Sequence, residues 1–284
     1  MPTIKANGID IWYETFGRAD DPTILLISGA TAQAIGWDCE FCERIASGGR
    51  QVVRFDNRDV GLSQWFGDED LYDLHDMVAD TVGLMDTLGI ERAHVAGASM
   101  GGMIAQLMAI GHPERVHTLT SIISSPAKTG DPEFEPGDPR VMETAVGMAG
   151  LRVGTREERI EASLPLWRIL AGSRYPFDEQ WWRDWIGQSA DRAWHPEVMA
   201  HHPAAIERTE PWHGNLGKVR APTLIIHGME DPIFPISHAQ RMAELVPNAK
   251  VLWLEGVGHE MPPACWDEVI TALLEHTGRT AAIA

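Results

Sequence analysis

The sequence predicts an α/β protein built on a mostly parallel, doubly wound sheet with a helical cap insertion. Three observations carry that expectation. Short runs that are apolar at nearly every position recur along the chain, helix-period patterns separate them, and the alternation stops between residues 126 and 219 before resuming at 223. A run without polar alternation fits a strand covered on both faces, and strands alternating with helices imply βαβ units.

The elements follow in order. Asn7-Gly8 supports the positive φ of a two-residue turn, and the flanking segments 3–5 and 9–13 complete a hairpin. Buried strands are expected at 23–27, 52–55, 93–96, 119–123, 223–226 and 251–254. Leu74, Met77, Val78, Thr81, Val82, Met85 and Leu88 recur at three and four, the apolar face of a helix that Gly89 terminates. Met103, Ile104, Leu107 and Met108 mark a second helix stopped before Pro113. Trp266, Val269, Ile270, Leu273 and Leu274 mark a third near the end. Residues 126–219 carry no clear strand run but hold six tryptophans: Trp167, Trp181, Trp182, Trp185, Trp194 and Trp212. A helical cap inserted between two strands of one sheet accounts for this better than a second free-standing domain. The sheet core then comprises 1–125 and 220–284, and no internal repeat is present.

At 284 residues, 44% hydrophobic and 23% charged, the chain can bury a large core. Its 27 Gly and 18 Pro are too few for a low-complexity or disordered class. The formal net charge of −18 repels phosphate backbones and anionic lipid, which argues against nucleic-acid and membrane partners. A small neutral or cationic molecule suits such a surface. No segment approaches the roughly 18 apolar residues of a membrane span. The opening octapeptide lacks the apolar stretch of a signal peptide, and three Cys do not make a disulfide framework. A reducing cytoplasm is the expected compartment; self-association into a homo-oligomer is left open.

Chemistry concentrates at the ends of the expected strands. Gly97-Ala98-Ser99-Met100-Gly101-Gly102 follows one strand and opens a helix, the context of a nucleophile elbow, where small neighbours let the chain turn sharply and present the Ser99 hydroxyl. A serine hydroxyl is a weak nucleophile until a base takes its proton. His259 lies just beyond the strand at 251–254, after glycines that let the loop reach back over the sheet edge. The base needs an acid to hold its tautomer, and Asp231 directly follows the strand at 223–226; Glu230 is the neighbouring rival and Asp56 a weaker one. Two N–H donors should face the developing oxyanion: the backbone of Met100 at the helix start, and that of Ala30 in the loop after the strand at 23–27. This scheme requires no metal or organic cofactor.

These motifs resemble the α/β-hydrolase superfamily over nearly the whole chain: Ser28-Gly29-Ala30, the stretch from Phe55 to Ser63, the elbow, Asp231 and Gly258-His259. Within it the chain is most similar to aclacinomycin methylesterase and related esterases. That likeness rests on Gly36-Trp37-Asp38, on Trp167 through Gly172, and on Pro176-Phe177-Asp178. The resemblance implies a serine carboxylic ester hydrolase acting on a bulky apolar ester, with a methyl ester of an aromatic polyketide as one such substrate. The chain departs from many members in carrying Ser28-Gly29 where they have His-Gly, which bears on the loop of Ala30.

Other readings share these motifs. Serine relatives that cleave carbon–carbon bonds or make peracids without a cofactor have the same spacing, and a non-catalytic ligand-binding protein could keep the fold. Cys39 and Cys42 form a C-x-x-C, but no second pair completes a zinc site, so core filling on an early helix is expected. His195, His201, His202 and His213 lack clean ligand spacing and read as solvated or pocket-lining. Trp167, Trp181, Trp182 and Trp185 are candidates for an aromatic substrate pocket, against the plainer reading that they only pack the cap.

Overall fold

A computed structural model describes residues 3–128, 130–149, 154–195 and 198–278. Met1, Pro2 and residues 279–284, which the sequence assigns to the sheet core, lie outside them. The eight strands are β1 (Thr3–Ala6), β2 (Ile9–Phe16), β3 (Thr23–Ile27), β4 (Gln51–Phe55), β5 (Ala93–Ala98), β6 (Val116–Ile122), β7 (Thr223–Gly228) and β8 (Lys250–Leu254). They form one sheet in the order β1-β2-β4-β3-β5-β6-β7-β8. Strand β2 runs antiparallel to both its neighbours, β1 and β4, and every other pair is parallel. The first two strands make the expected hairpin, with Ala6 opposite Ile9 and positive φ at Asn7 and Gly8.

Both faces of the sheet are covered, which is why its strands read as unbroken apolar runs. Leu25 and Ile27 of β3 point into one cluster with Val53, Val95, Leu119 and Ile225. That side is closed by α2 (Leu74–Leu88), α3 (Met100–Gly111) and α8 (Ile236–Leu245). Ile24 and Leu26 point the other way, with Val52, Ile122 and Ile226, against α1 (Cys39–Ser47) and α9 (Trp266–Gly278). Alternate residues thus reach opposite layers, as the two-residue period of a strand requires. Burying a Leu or Ile side chain contributes about 1.5–3 kcal/mol, and no position of β3 is left exposed.

Between β6 and β7 lie α4 (Pro139–Ala149), α5 (Arg156–Leu170), α6 (Glu179–Arg192) and α7 (His201–Arg208), with no strand among the described residues there. Helices α5 and α6 share a small core of Ile160, Leu164, Trp182 and Ile186. Ala205 and Ile206 of α7, with Trp212, Leu216 and Val219, pack instead into the main core beside α3. Trp212 is therefore a core residue: its Nε1–H donates to Oε1 of buried Gln106 at 2.9 Å.

Cys42 is core filling, as its helical spacing suggests, and burial pushes its thiol up to about 12. Cys39 departs from that expectation. It sits exposed at the first turn of α1, with its sulfur 3.2 Å from an Arg54 nitrogen, because the apolar face of α1 passes through Phe41, Cys42 and Ile45 instead.

The loop after β4 is fixed by a buried ion pair. Arg58 donates from Nε and Nη2 to the two carboxylate oxygens of Asp80, at 2.6 and 2.7 Å, and Asn7 donates to Asp80 at 2.9 Å. Removing one partner of a buried pair strands the other charge. Asp80→Ala should lower stability by about 3–5 kcal/mol, read as a drop in the urea midpoint; an unchanged midpoint would refute the role of the pair.

Candidate active site

Ser99 stands between β5 and α3 with φ 54° and ψ −122°. A non-glycine residue in such a conformation costs roughly 1–3 kcal/mol, and the surrounding backbone has to enforce it. Here the enforcement is close packing. A Cβ on Gly97 would lie 2.0 Å from the Gly101 carbonyl oxygen, and one on Gly101 would lie 2.1 Å from that of Ile27. Only glycine fits at either position, so α3 starts directly against the end of β3. The Ser99 N–H donates to the Ile122 carbonyl at 2.9 Å, and the Ser124 hydroxyl donates to the Ser99 carbonyl at 2.7 Å.

The three residues predicted to act together are brought together. His259 Nδ1 lies 2.8 Å from Asp231 Oδ2, and His259 Nε2 lies 3.1 Å from Ser99 Oγ. With Nδ1–H directed at the carboxylate, Nε2 is left to accept from the hydroxyl. Asp231 is itself held, since its Oδ1 accepts the N–H groups of Ile233 and Phe234 at 2.8 and 2.9 Å. Burial works against the Asp231 carboxylate, but His259, His227 and the Phe234 N–H outweigh it and hold the acid below the usual carboxylate range. The loop carrying His259 is pinned from the cap side: its N–H donates to the Leu170 carbonyl at the end of α5, at 2.8 Å. A Cβ on Gly258 would lie 2.1 Å from that oxygen.

The rival carboxylates have other work. Glu230 accepts from the backbone and hydroxyl of Ser173. Asp56 accepts the N–H groups of Ala34 and Leu62 and pairs with Arg192 of α6 at 2.6 Å.

The two expected oxyanion donors flank Ser99. Met100 opens α3, where the N–H groups have no partner within the helix. Ala30 belongs to the loop after β3, and Gly29 of that loop is so close that a Cβ would lie 3.2 Å from that of Ser99. Thr31 has φ 60°. Its N–H donates at 2.9 Å to Nδ1 of His202 on α7, whose Nε2–H donates to the Arg58 carbonyl at 2.7 Å. Farther along, Gln33 donates to the Ser189 and Ala193 carbonyls and accepts from Arg192. The loop is thus tied to α6 and α7 as much as to the sheet.

Above Ser99 and His259 lies a cavity of about 400 Å³, roofed by α5 and α6. Trp167, Trp181, Trp182 and Trp185 all line it, as do Trp194 and Glu260. The same indoles pack on one another: Trp167 and Trp182 stack with centroids 3.8 Å apart, and Trp185 meets both edge-on. Packing the cap and walling the cavity are one arrangement, not alternatives. Of the four histidines, His195 and His202 line the cavity. His201 faces Asp59 and Asp68, and His213 lies near Asp131 and Glu133. Among the described residues no group of three or more His, Cys, Asp or Glu side chains could hold a metal ion.

Residues 22–262 match the family model for the alpha/beta hydrolase fold. The chain belongs to the α/β-hydrolase family. It is 31% identical to a rhodomycin D methylesterase of Streptomyces sp. and 30% identical to one of Streptomyces peucetius, with 98% of each chain covered in both cases. Among solved structures it superposes on an esterase from Exiguobacterium antarcticum with a TM-score of 0.80 at 21% identity, covering 97% of this chain and 98% of that one. Full-length similarity to methylesterases makes this α/β-hydrolase a carboxylic ester hydrolase.

Three residues of the hydrolase's site escape sequence reasoning. Gln33 and Glu260 belong to no motif, and His202 reads only as one of a loose histidine group. For Glu260 the one available signal is its place next to His259.

His202 generates a test by pH. It is fully buried, and burial pushes it down to about 4. The unfolded chain therefore binds a proton near pH 6.5 that the folded one refuses, so stability is complete above that pH and lost as pH falls toward 4. The loss at pH 5 amounts to about 2 kcal/mol. Glu260, pushed up to about 7 by burial, acts with opposite sign in this interval, so the His202 share is read as a difference. Stability of His202→Asn should fall less than wild type between pH 7 and pH 5; parallel curves would refute the assignment.

Proposed function

We propose that this hydrolase cleaves a bulky, largely apolar carboxylic ester through an acyl-enzyme on Ser99. The observation that carries the reading is the Asp231–His259–Ser99 hydrogen-bond chain ending beneath a tryptophan-walled cavity. Ser99 Oγ attacks the ester carbonyl while His259 Nε2 takes its proton, and Asp231 stabilises the imidazolium that forms. The carbonyl oxygen, now carrying the charge, accepts from the N–H groups of Met100 and Ala30. Either donor contributes about 2.7–4 kcal/mol to lowering the barrier. His259 returns its proton to the departing alcohol. Water, activated by the same imidazole, then attacks the acyl carbonyl and restores Ser99.

Residues 126–219 act in this scheme as a cap that supplies the substrate walls. Indole faces suit a fused aromatic ring system. Similarity to enzymes named as rhodomycin D methylesterases supports a methyl ester of an aromatic polyketide.

Ser99→Ala should lower kcat on p-nitrophenyl butyrate by about 10⁴- to 10⁶-fold and abolish the acyl-enzyme burst; near-native turnover would remove the nucleophile assignment. Trp167→Ala should raise KM for naphthyl esters by roughly 2- to 10-fold, with a smaller effect on acetate esters of small alcohols. Equal effects on both series would end the case for an aromatic pocket.

A further inference from the structure

Glu260 is a buried carboxyl group that the reaction does not use. Its Oε1 accepts the Gly172 N–H at 3.1 Å, and the side chain makes no other hydrogen bond or ion pair among the described residues. Burial pushes the acid up to about 7, with the Gly172 N–H pulling the other way, and no neighbouring cation offsets the penalty. An uncompensated buried acid is costly to a fold, and holding one backbone N–H does not require it, since an amide oxygen would serve.

The position of Glu260 supplies a reason. It lines the ester cavity and also a second, smaller cavity of about 230 Å³, so it stands between the two. Trp181 and Trp182 share that dividing wall, and Tyr175 and Phe177 line the smaller side. Aromatic faces around one carboxylate attract an alkylammonium group through both charge and ring quadrupole. The cations at the rim are already engaged, for Arg174 pairs with Glu268 and Arg168 with Glu179, each lying over a ring of the smaller cavity. Asp178, at the same cavity, adds negative charge. The net charge of −18 further favours an incoming cation.

We propose that Glu260, with the rings of Trp181 and Trp182, forms a subsite for a protonated amine carried by the ester substrate. The assignment rests on the ester-hydrolase reading and narrows it to esters that bear a basic nitrogen away from the scissile bond. A bound ammonium supplies the counter-charge that the buried carboxylate lacks in the ligand-free protein.

The test compares 4-phenylbutylammonium with 4-phenylbutanol as inhibitors of p-nitrophenyl butyrate hydrolysis at pH 8. Wild type should bind the ammonium roughly tenfold more tightly than the alcohol, and Glu260→Gln should bring the ratio of inhibition constants to near one. Glu230→Gln, which removes a carboxylate outside both cavities, should leave the ratio as in wild type. Each ratio is read within one variant, so a change in overall activity does not obscure it, and Glu260→Asp provides a second variant that keeps the charge. Equal inhibition constants in wild type, no inhibition by either compound, or a ratio that survives Glu260→Gln would overturn the subsite. If wild type does not hydrolyse p-nitrophenyl butyrate, the ester reading has failed. Calorimetric titration with the same two compounds then decides the subsite by itself.

Discussion

The site depends on one steric constraint: a side chain can be lifted above the edge of a parallel sheet only where the chain turns from strand to helix within a single residue. That turn forces Ser99 into a backbone conformation which L residues avoid, and the energy to hold it comes from backbone packed on backbone at Gly97, Gly101 and Ile27. Two properties follow from the same geometry. The hydroxyl projects from the sheet, and the first N–H groups of α3 converge beside it with the positive end of the helix dipole. The projecting hydroxyl and the converging N–H groups are therefore set by one local fold.

The other parts are held from farther away. In a chain with 41 acidic and 23 basic side chains, cations are scarce, yet Arg58 and Arg192 are both committed to holding loops at the site. Arg58 fixes the loop after β4 through Asp80, and Arg192 reaches from α6 to Asp56 and Gln33 with its guanidinium 4.1 Å from the Trp12 ring centroid. Together with His202 on Thr31 and Leu170 on the His259 backbone, the Arg192 contacts join the helices between β6 and β7 to loops at the sheet edge. Those helices do more than roof a cavity. They set the shape of the loops beneath them.

What was legible in the sequence was local. Buried strands announce themselves because both faces are covered, and the elbow does because its glycines are needed within four residues of Ser99. The order of Ser99, Asp231 and His259 along the chain was equally readable, each lying just past a strand. His202 was not, since its partner Thr31 is 171 residues distant and nothing around position 202 encodes an acceptor for that N–H. Glu260 shared this opacity: burial and cavity placement, properties of the assembled fold, make its carboxyl unusual. Trp212 was misleading in the opposite sense, because a tryptophan in a Trp-rich stretch resembles its neighbours until Gln106 claims its N–H.

The strands that bracket the helices, β6 and β7, are direct neighbours, with Ile122 paired to Ile226. Everything between them is one long detour that returns about 5 Å from where it left. The entropy of closing such a detour grows slowly, by about 0.6 kcal/mol for each doubling of its length. Insertions and replacements there leave every sheet register intact. Descendants of such a chain can exchange α4 and the outward-facing residues of α5 and α6, provided that the contacts of Leu170, Arg192 and His202 with the sheet-edge loops and the packing of Trp212 in the main core remain. Diversification of what the protein accepts and conservation of how it reacts are thereby separated along the chain.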